Sequence, residues 1–247
     1  MIHKILRSFG YKISKTADEV YHTIHDDTFQ KIYATCKPYT LTSAERMYGL
    51  YKAVVYVVQN KIPGCFVECG AWRGGSAMMM AQTLLHLGVT DRKIYLYDTY
   101  EGMAPPTDED KDIRGGKAAD LMKEQSIEVA ASVWCYASLD DVRANMALTQ
   151  YPAQQIVYVK GMVEETIPAQ SPREGIAVLR LDTDWYASTL HELQHLYPQL
   201  IPEGVLVIDD YGHWQGCRKA VDEYFAGKKI LLNRVDYTGV VAVKTGD

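Results

Sequence analysis

Residues 65–81 read CFVECGAWRGGSAMMMA, and the change of character inside this stretch decides the fold. Cys65 to Cys69 is a short, mostly apolar run, the pattern of a strand buried on both faces. Gly70 permits a tight turn, and Gly74 and Gly75 let the backbone come close to a ligand. Ser76 then opens an apolar stretch, AMMMAQTLLHLGV, which reads as a helix closed by Gly88. Strand, glycine loop and helix make one βα unit. The loop departs from G-x-G-x-x-G spacing, so a pyrophosphate cradle is not its natural reading. A nucleotide-like cofactor fits it, and so does a plain strand-to-helix turn.

The same alternation continues along the chain. KIYLYD (93–98), QQIVYVKG (154–161), GIAVLRLD (175–182) and GVLVIDD (204–210) are further strands, with helical stretches between most of them. After the helix GCRKAVDEYFAG, the runs KILLNRVD and GVVAVK form an antiparallel closing pair. Strands alternating with helices imply a parallel sheet covered on both faces, with ligands beyond the carboxyl ends of the strands. Upstream, TSAERMYGLYKAVVYVVQN begins with a capping box, Thr42 to Glu45. Apolar residues then recur at Met47, Leu50, Tyr51, Val54, Val57 and Val58, a helix with one buried face. The polar stretch MAPPTDEDKDIRGGKAADLMKEQ (103–125) is a long surface insertion, placed to be a lid or a plain loop with a short helix.

The 247 residues suit one α/β domain, 1–247, with a helical cap over 1–60 and the lid insertion over 103–127. A hydrophobic fraction of 47% and a charged fraction of 23% are ordinary for a globular chain. The net charge of −5 is interleaved along the sequence, so no basic face for nucleic acid is evident. No apolar run approaches the ~20 residues of a membrane span, and the leader is too short and interrupted for a signal peptide. A cytoplasmic protein without membrane insertion follows. Five cysteines, an odd number, argue against a disulfide framework and read as reduced core thiols. Residues 1–15, with Lys4, Arg7, Lys12 and Lys15 and no acid, read as a solvated leader helix ahead of a membrane-touching arm.

Two strands end on acids. LRLDTDWYAST places Asp182 and Asp184 after Leu181, and GVLVIDDYGHW places Asp209 and Asp210 after Ile208. Asp182, Asp209 and Asp210 supply three hard oxygen ligands from adjacent strand ends, suited to Mg²⁺ or a similar divalent ion. Unpaired, the three would repel one another, and a cation resolves this; helix capping, or pairing with Arg180, Arg218 or Lys219, is the structural alternative. Asp184, two residues on, faces the same pocket and is a candidate general base, or a capping aspartate. Asp98 closes its strand where an α/β nucleotide site places the acid for ribose hydroxyls, unless it caps the next helix. His191 and His195 read as a helix surface. His213, Trp72, Trp185, Tyr186, Tyr211 and Trp214 gather at the strand ends, and the aromatic ones could wall a ring-bearing or sugar substrate.

Six blocks in order, YTLTSAERMYGL, FVECGAWRGGSAMMMA, YLYDTYEGM, VKGMVEETIP, LRLDTDWYASTLHELQHLYP and GVLVIDDYGHWQGCRKAVDEY, resemble the macrocin O-methyltransferase family from about Tyr39 to Val243. The family includes enzymes that methylate sugar hydroxyls of macrolide and aminocoumarin antibiotics. The resemblance implies a class I, Rossmann-like methyltransferase fold with a mostly parallel seven-stranded sheet, helices on both faces and an N-terminal helical segment. It implies S-adenosylmethionine and a divalent ion, usually Mg²⁺, as cofactors, and a sugar hydroxyl of a glycosylated natural product or polysaccharide precursor as acceptor. Asp182, Asp209 and Asp210 match the family's metal ligands and Asp184 its general base. Glu68, Gly70, Gly74, Gly75 and Ser76 match the cofactor loop, Asp98 the ribose acid, and Gly161 a further cofactor-binding position. Thr40 and Ser43 belong to an N-terminal segment that closes over the cofactor. A homodimer or higher homo-oligomer is also implied.

Two other readings compete. The acids of DTD and DD resemble those of haloacid dehalogenase-like phosphatases, but there the first pair stands on an early strand and a lysine separates the pairs, and the glycine loop would have no role. A non-catalytic cofactor-binding module would have no need of three metal ligands and a base.

Overall fold

The computed structural model describes residues 24–129 and 132–246; the basic leader, 1–15, lies outside the described residues. The apolar runs form the strands expected of them. β1 is Cys65–Cys69, β2 Ile94–Asp98, β3 Ile156–Lys160, β4 Ile176–Leu181, β5 Leu200–Ile208, β6 Asn233–Arg234 and β7 Val240–Val243. They make one seven-stranded sheet in the order β3-β2-β1-β4-β5-β7-β6. The first five are parallel, β7 runs antiparallel to β5, and β6 antiparallel to β7. The closing pair is thus present, though β6 is only two residues of the longer run.

Among the described residues the α-helices are α1 Asp27–Cys36, α2 Ala44–Gln59, α3 Gly75–His86, α4 Ala118–Glu124, α5 Leu139–Ala147, α6 Val163–Thr166, α7 Tyr186–His195 and α8 Gln215–Tyr224. Successive strand residues point to opposite faces, and the core divides accordingly. Phe66, Leu96 and Val178 join one cluster with residues of α1, α2, α3 and α5. Val67, Tyr97, Leu179 and Leu206 join the other with residues of α7 and α8. Every residue of β1 and β4 is buried, which is why neither strand alternates apolar with polar.

The strand order reverses between β1 and β4, and their register places Cys69 beside Leu181 and Leu181 beside Ile208. One residue later come Gly70, Asp182 and Asp209, side by side at the carboxyl edge, with Asp98 ending β2. Gly70 has φ +83°, and a Cβ there would stand 2.0 Å from the Asp182 carbonyl oxygen. Only glycine lets these two strand ends meet.

One local expectation needs correction. The N-cap of α2 is Ser43, whose hydroxyl accepts from the Arg46 N–H at 3.1 Å. Thr42 is not the cap, because its hydroxyl accepts from the buried Arg180 guanidinium at 3.0 Å. A tertiary ion cluster has drawn off the side chain that the local pattern assigned to the helix.

Candidate active site

A cavity of about 440 Å³ opens over the carboxyl edge of the sheet. Thr40, Gly70, Gly75, Ser76, Asp98, Asp182, Asp184, Asp209 and Asp210 line it, together with Trp72, His213 and Trp214. A smaller recess of about 50 Å³ shares Gly70, Asp98 and Asp182 with it and runs past Gly161 and Met162 to Glu164 and Ser188. Three of the expected cofactor residues stand behind the walls. Gly74 precedes α3 in a left-handed conformation, Ser43 donates to Asp236 Oδ2 at 2.7 Å, and Glu68 is wholly buried.

The glycine loop is held from below by Asp98. Its Oδ2 accepts from the backbone N–H of Ala71 at 2.8 Å and of Trp72 at 3.0 Å, and its Oδ1 accepts from Tyr100 at 2.6 Å. Burial pushes the carboxyl up, and these N–H groups oppose the shift. No helix follows for Asp98 to cap; its backbone bonds go to the loop instead.

The acids divide into two groups, although consecutive Asp209 and Asp210 line the same cavity. Asp182, Asp184 and Asp210 bring carboxylate oxygens within 4.8 Å of one another. Asp209 turns instead to the two arginines, accepting from Arg180 Nη2 at 2.7 Å through Oδ1 and from Arg46 Nη1 through Oδ2. Of the expected trio Asp182, Asp209 and Asp210, only Asp182 and Asp210 converge; Asp184 stands with them where Asp209 was expected, because the two arginines hold Asp209. Burial raises the Asp184 carboxyl to about 7, and Asp182 adds to the shift. Burial, with Asp184 and Asp182 close by, carries Asp210 well above the usual carboxylate range. Asp210 Oδ2 is buried without a hydrogen-bond partner. Three acids converging on one such oxygen fit a divalent cation, which would remove the repulsion and fill the missing contact.

Arg180 was visible in the sequence only as a possible partner for the acids, and it proves to be their centre. Fully buried in β4, it binds Glu68 Oε1 at 2.6 Å, Asp182 Oδ2 at 2.7 Å and Asp209 Oδ1 at 2.7 Å. An arginine within an apolar strand requires such partners. Burial raises the Glu68 carboxyl to about 7 despite Arg180. Arg46 and Glu164 gave no local signal, and Thr42 only the misleading one of a helix cap, since their partners lie far away in the chain.

The aromatic wall is built partly from residues other than those the sequence suggests, Tyr39 and Tyr237 among them. Trp72 and Trp214 line the cavity. Trp185 is core, its ring edge-on to Trp214 at 4.9 Å and its indole N–H donating to the Ala104 carbonyl at 2.8 Å. Tyr211 belongs to a neighbouring groove that also includes His213 and Trp214. From the 103–125 stretch, Met103, Leu121 and Gln125 line the cavity. It is pinned to α7 and α8: Asp110 accepts from the Tyr186 N–H at 2.7 Å, and Lys111 from the Gln215 N–H at 2.8 Å.

A family model described as macrocin O-methyltransferase (TylF) matches residues 14–244. The chain is 32% identical over 209 residues to demethyldecarbamoylnovobiocin O-methyltransferase of Streptomyces niveus, covering 84% of this chain and 76% of that one. It is 32% identical over 186 residues to mycinamicin III 3''-O-methyltransferase of Micromonospora griseorubida, covering 75% and 70%. The solved structure of the O-methyltransferase NovP is similar, with a TM-score of 0.70 at 28% identity over 84% of this chain and 83% of that one.

Proposed function

Because the chain belongs to the macrocin O-methyltransferase family, and is therefore an O-methyltransferase, we propose that it transfers a methyl group from S-adenosylmethionine to a sugar hydroxyl with the help of a divalent cation. The observation that carries this reading is the convergence of Asp182, Asp184 and Asp210 beside the glycine loop in one cavity. The relatives are named for methylating demethyldecarbamoylnovobiocin and mycinamicin III, and one from Streptomyces olivaceus for a rhamnosyl-tetracenomycin C. A sugar carried on such a product, or on a polysaccharide precursor, is the acceptor class we assign.

When bound, S-adenosylmethionine supplies an electrophilic methyl, and the cation supplies positive charge that orients and acidifies a hydroxyl. The residues do the rest. Gly70, Gly75 and Ser76 bring backbone against the cofactor, and Asp98 Oδ1 keeps acceptor capacity for a ribose hydroxyl. The recess past Gly161 is the place for a planar base, with Glu164 Oε2, buried and unpartnered, as acceptor for an amino group. Asp182 and Asp210 would hold the cation, with Asp209 within reach once it leaves Arg46. Asp184 takes the proton of the attacking hydroxyl, a task its raised affinity for protons suits. Trp72, Trp214 and the 103–125 stretch exclude water. Positioning and fixed charge supply most of the rate.

A cytoplasmic homodimer or higher homo-oligomer is part of the same proposal. No described helix is long and apolar enough to cross a membrane, and all five cysteines are free.

Calorimetric titration of S-adenosylhomocysteine into metal-stripped protein tests the reading, repeated with Mg²⁺ and in Asp98→Ala. Micromolar binding that weakens at least about tenfold in Asp98→Ala is expected. No binding by the native chain under any condition would overturn it.

A further inference from the structure

We infer that Arg46 competes with the divalent cation for Asp209, and so acts as a positioning residue that sets the affinity of the metal site. The inference rests on the metal reading given above.

Arg46 stands in the first turn of α2, and its guanidinium bridges two carboxylates from distant parts of the chain. Nη1 donates to Asp209 Oδ2, and Nε to Asp236 Oδ2 at 3.0 Å. The seat for this side chain is elaborate. The Asp236 Oδ1 oxygen accepts from the N–H groups of Thr238 at 2.9 Å and Gly239 at 2.8 Å. Ser43 donates to the same Oδ2 that Arg46 binds. A Cβ on Gly239 would come within 2.7 Å of Arg46 Cγ and Cδ, so the aliphatic stem lies directly on glycine backbone. Thr238 fixes the other partner, donating to the Asp209 carbonyl at 2.9 Å.

Both oxygens of Asp209 are thus taken by guanidinium groups. A cation at Oδ2 would have to share that oxygen with the Arg46 donor, and the two positive charges repel. Of the two arginines, Arg180 is the one that stays. It is 1% exposed and binds Glu68 and Asp182 as well, so losing its place would strand a buried charge. Arg46 lines the cavity, and after giving up Asp209 it still has Asp236. Asp210, the next residue, already offers an unpartnered Oδ2. Exchange of Arg46 for the ion at Asp209 would let both neighbours serve one cation.

The test uses Mn²⁺ as the probe, with free ion followed by electron paramagnetic resonance. The full-length chains compared are the native protein, Arg46→Gln and Arg46→Lys, each also combined with Asp209→Asn. Arg46→Gln should bind Mn²⁺ about tenfold more tightly, since one competing like charge is gone. Arg46→Lys, too short to bridge both carboxylates, should bind more tightly by a smaller factor. With Asp209→Asn in place, the gain from Arg46→Gln should largely vanish, the coupling expected of residues that act on one group. A merely structural arginine would give the opposite, weaker binding on removal. Equal or weaker Mn²⁺ binding by a folded Arg46→Gln overturns the inference, and Arg46→Lys decides the matter if the glutamine chain does not fold. If the native chain binds no Mn²⁺, the metal reading itself falls, and this inference with it. Binding by the native chain with no gain in either variant removes only the role of Arg46.

Discussion

Asp184 holds its carboxylate from a backbone position that side-chain-bearing residues rarely adopt, φ +65°. Such a conformation costs of order 1–3 kcal/mol and persists where the surroundings enforce it. Here Asp182 hydrogen-bonds β1 through its N–H to the Cys69 carbonyl at 2.9 Å, and the Trp185 N–H reaches back to Thr183 at 2.7 Å. The turn aims Asp184 at Asp210 instead of letting it cap α7, whose N-cap is Trp185. Asp184→Asn keeps the shape and removes the base. Methyl transfer to a glycoside acceptor should fall by about 10²–10⁴, while S-adenosylhomocysteine affinity measured by calorimetry stays within about twofold. Near-native turnover by Asp184→Asn would remove Asp184 from the role of base. The sequence showed the four acids and their strand ends. It did not show that consecutive Asp209 and Asp210 would be parted by two arginines.

At the scale of elements, α7 carries a carboxyl that the chemistry does not use. Glu192 is fully buried, accepts from the Thr183 hydroxyl at 3.0 Å and leaves Oε2 without a partner. Burial raises its carboxyl well above the usual range. A carboxyl raised in the folded state binds its proton more tightly there than in the unfolded chain. Its contribution to stability is present below the unfolded value near 4.3 and is lost as pH rises above it. Glu192→Gln removes that dependence. Its melting temperature, compared with the native chain between pH 5 and 8, should gain steadily with pH; a constant difference would show that Glu192 is not held protonated. The elements themselves were largely legible because strands buried on both faces cannot avoid apolar runs, and Gly88 marked a helix end. The exceptions have tertiary causes. Thr42 was drawn from the cap of α2 by Arg180, and β6 shrank to two residues at an open sheet edge.

For the whole molecule, the cavity is shared by parts drawn from most of the chain: the segment before α2, the ends of β1, β2, β4 and β5, and the turn between β6 and β7. A ligand filling it should stabilise all of them together. At a concentration near 100 times its Kd, S-adenosylhomocysteine adds about 2.7 kcal/mol, or roughly 5–10 °C in Tm for a chain of this size. A thermal melt with Mg²⁺ should show that rise as a single shifted transition. Two separate transitions, with only one moving, would mean that the N-terminal helices do not share the stability of the sheet.

The position of β7 has a consequence for how the protein comes into being. It lies between β5 and β6 in the sheet, and the turn before it contributes Asp236 and Thr238, the partners of Arg46 and of the Asp209 backbone. Arg46 and Asp236 are 190 residues apart. A growing polypeptide on the ribosome therefore makes the glycine loop and all four strand-end acids before it makes the residues that fasten Arg46 and Asp209. A chain ending before Asp236 would carry all four acids but neither of these fastenings nor β7, and it is expected to show no methyl transfer in an activity assay.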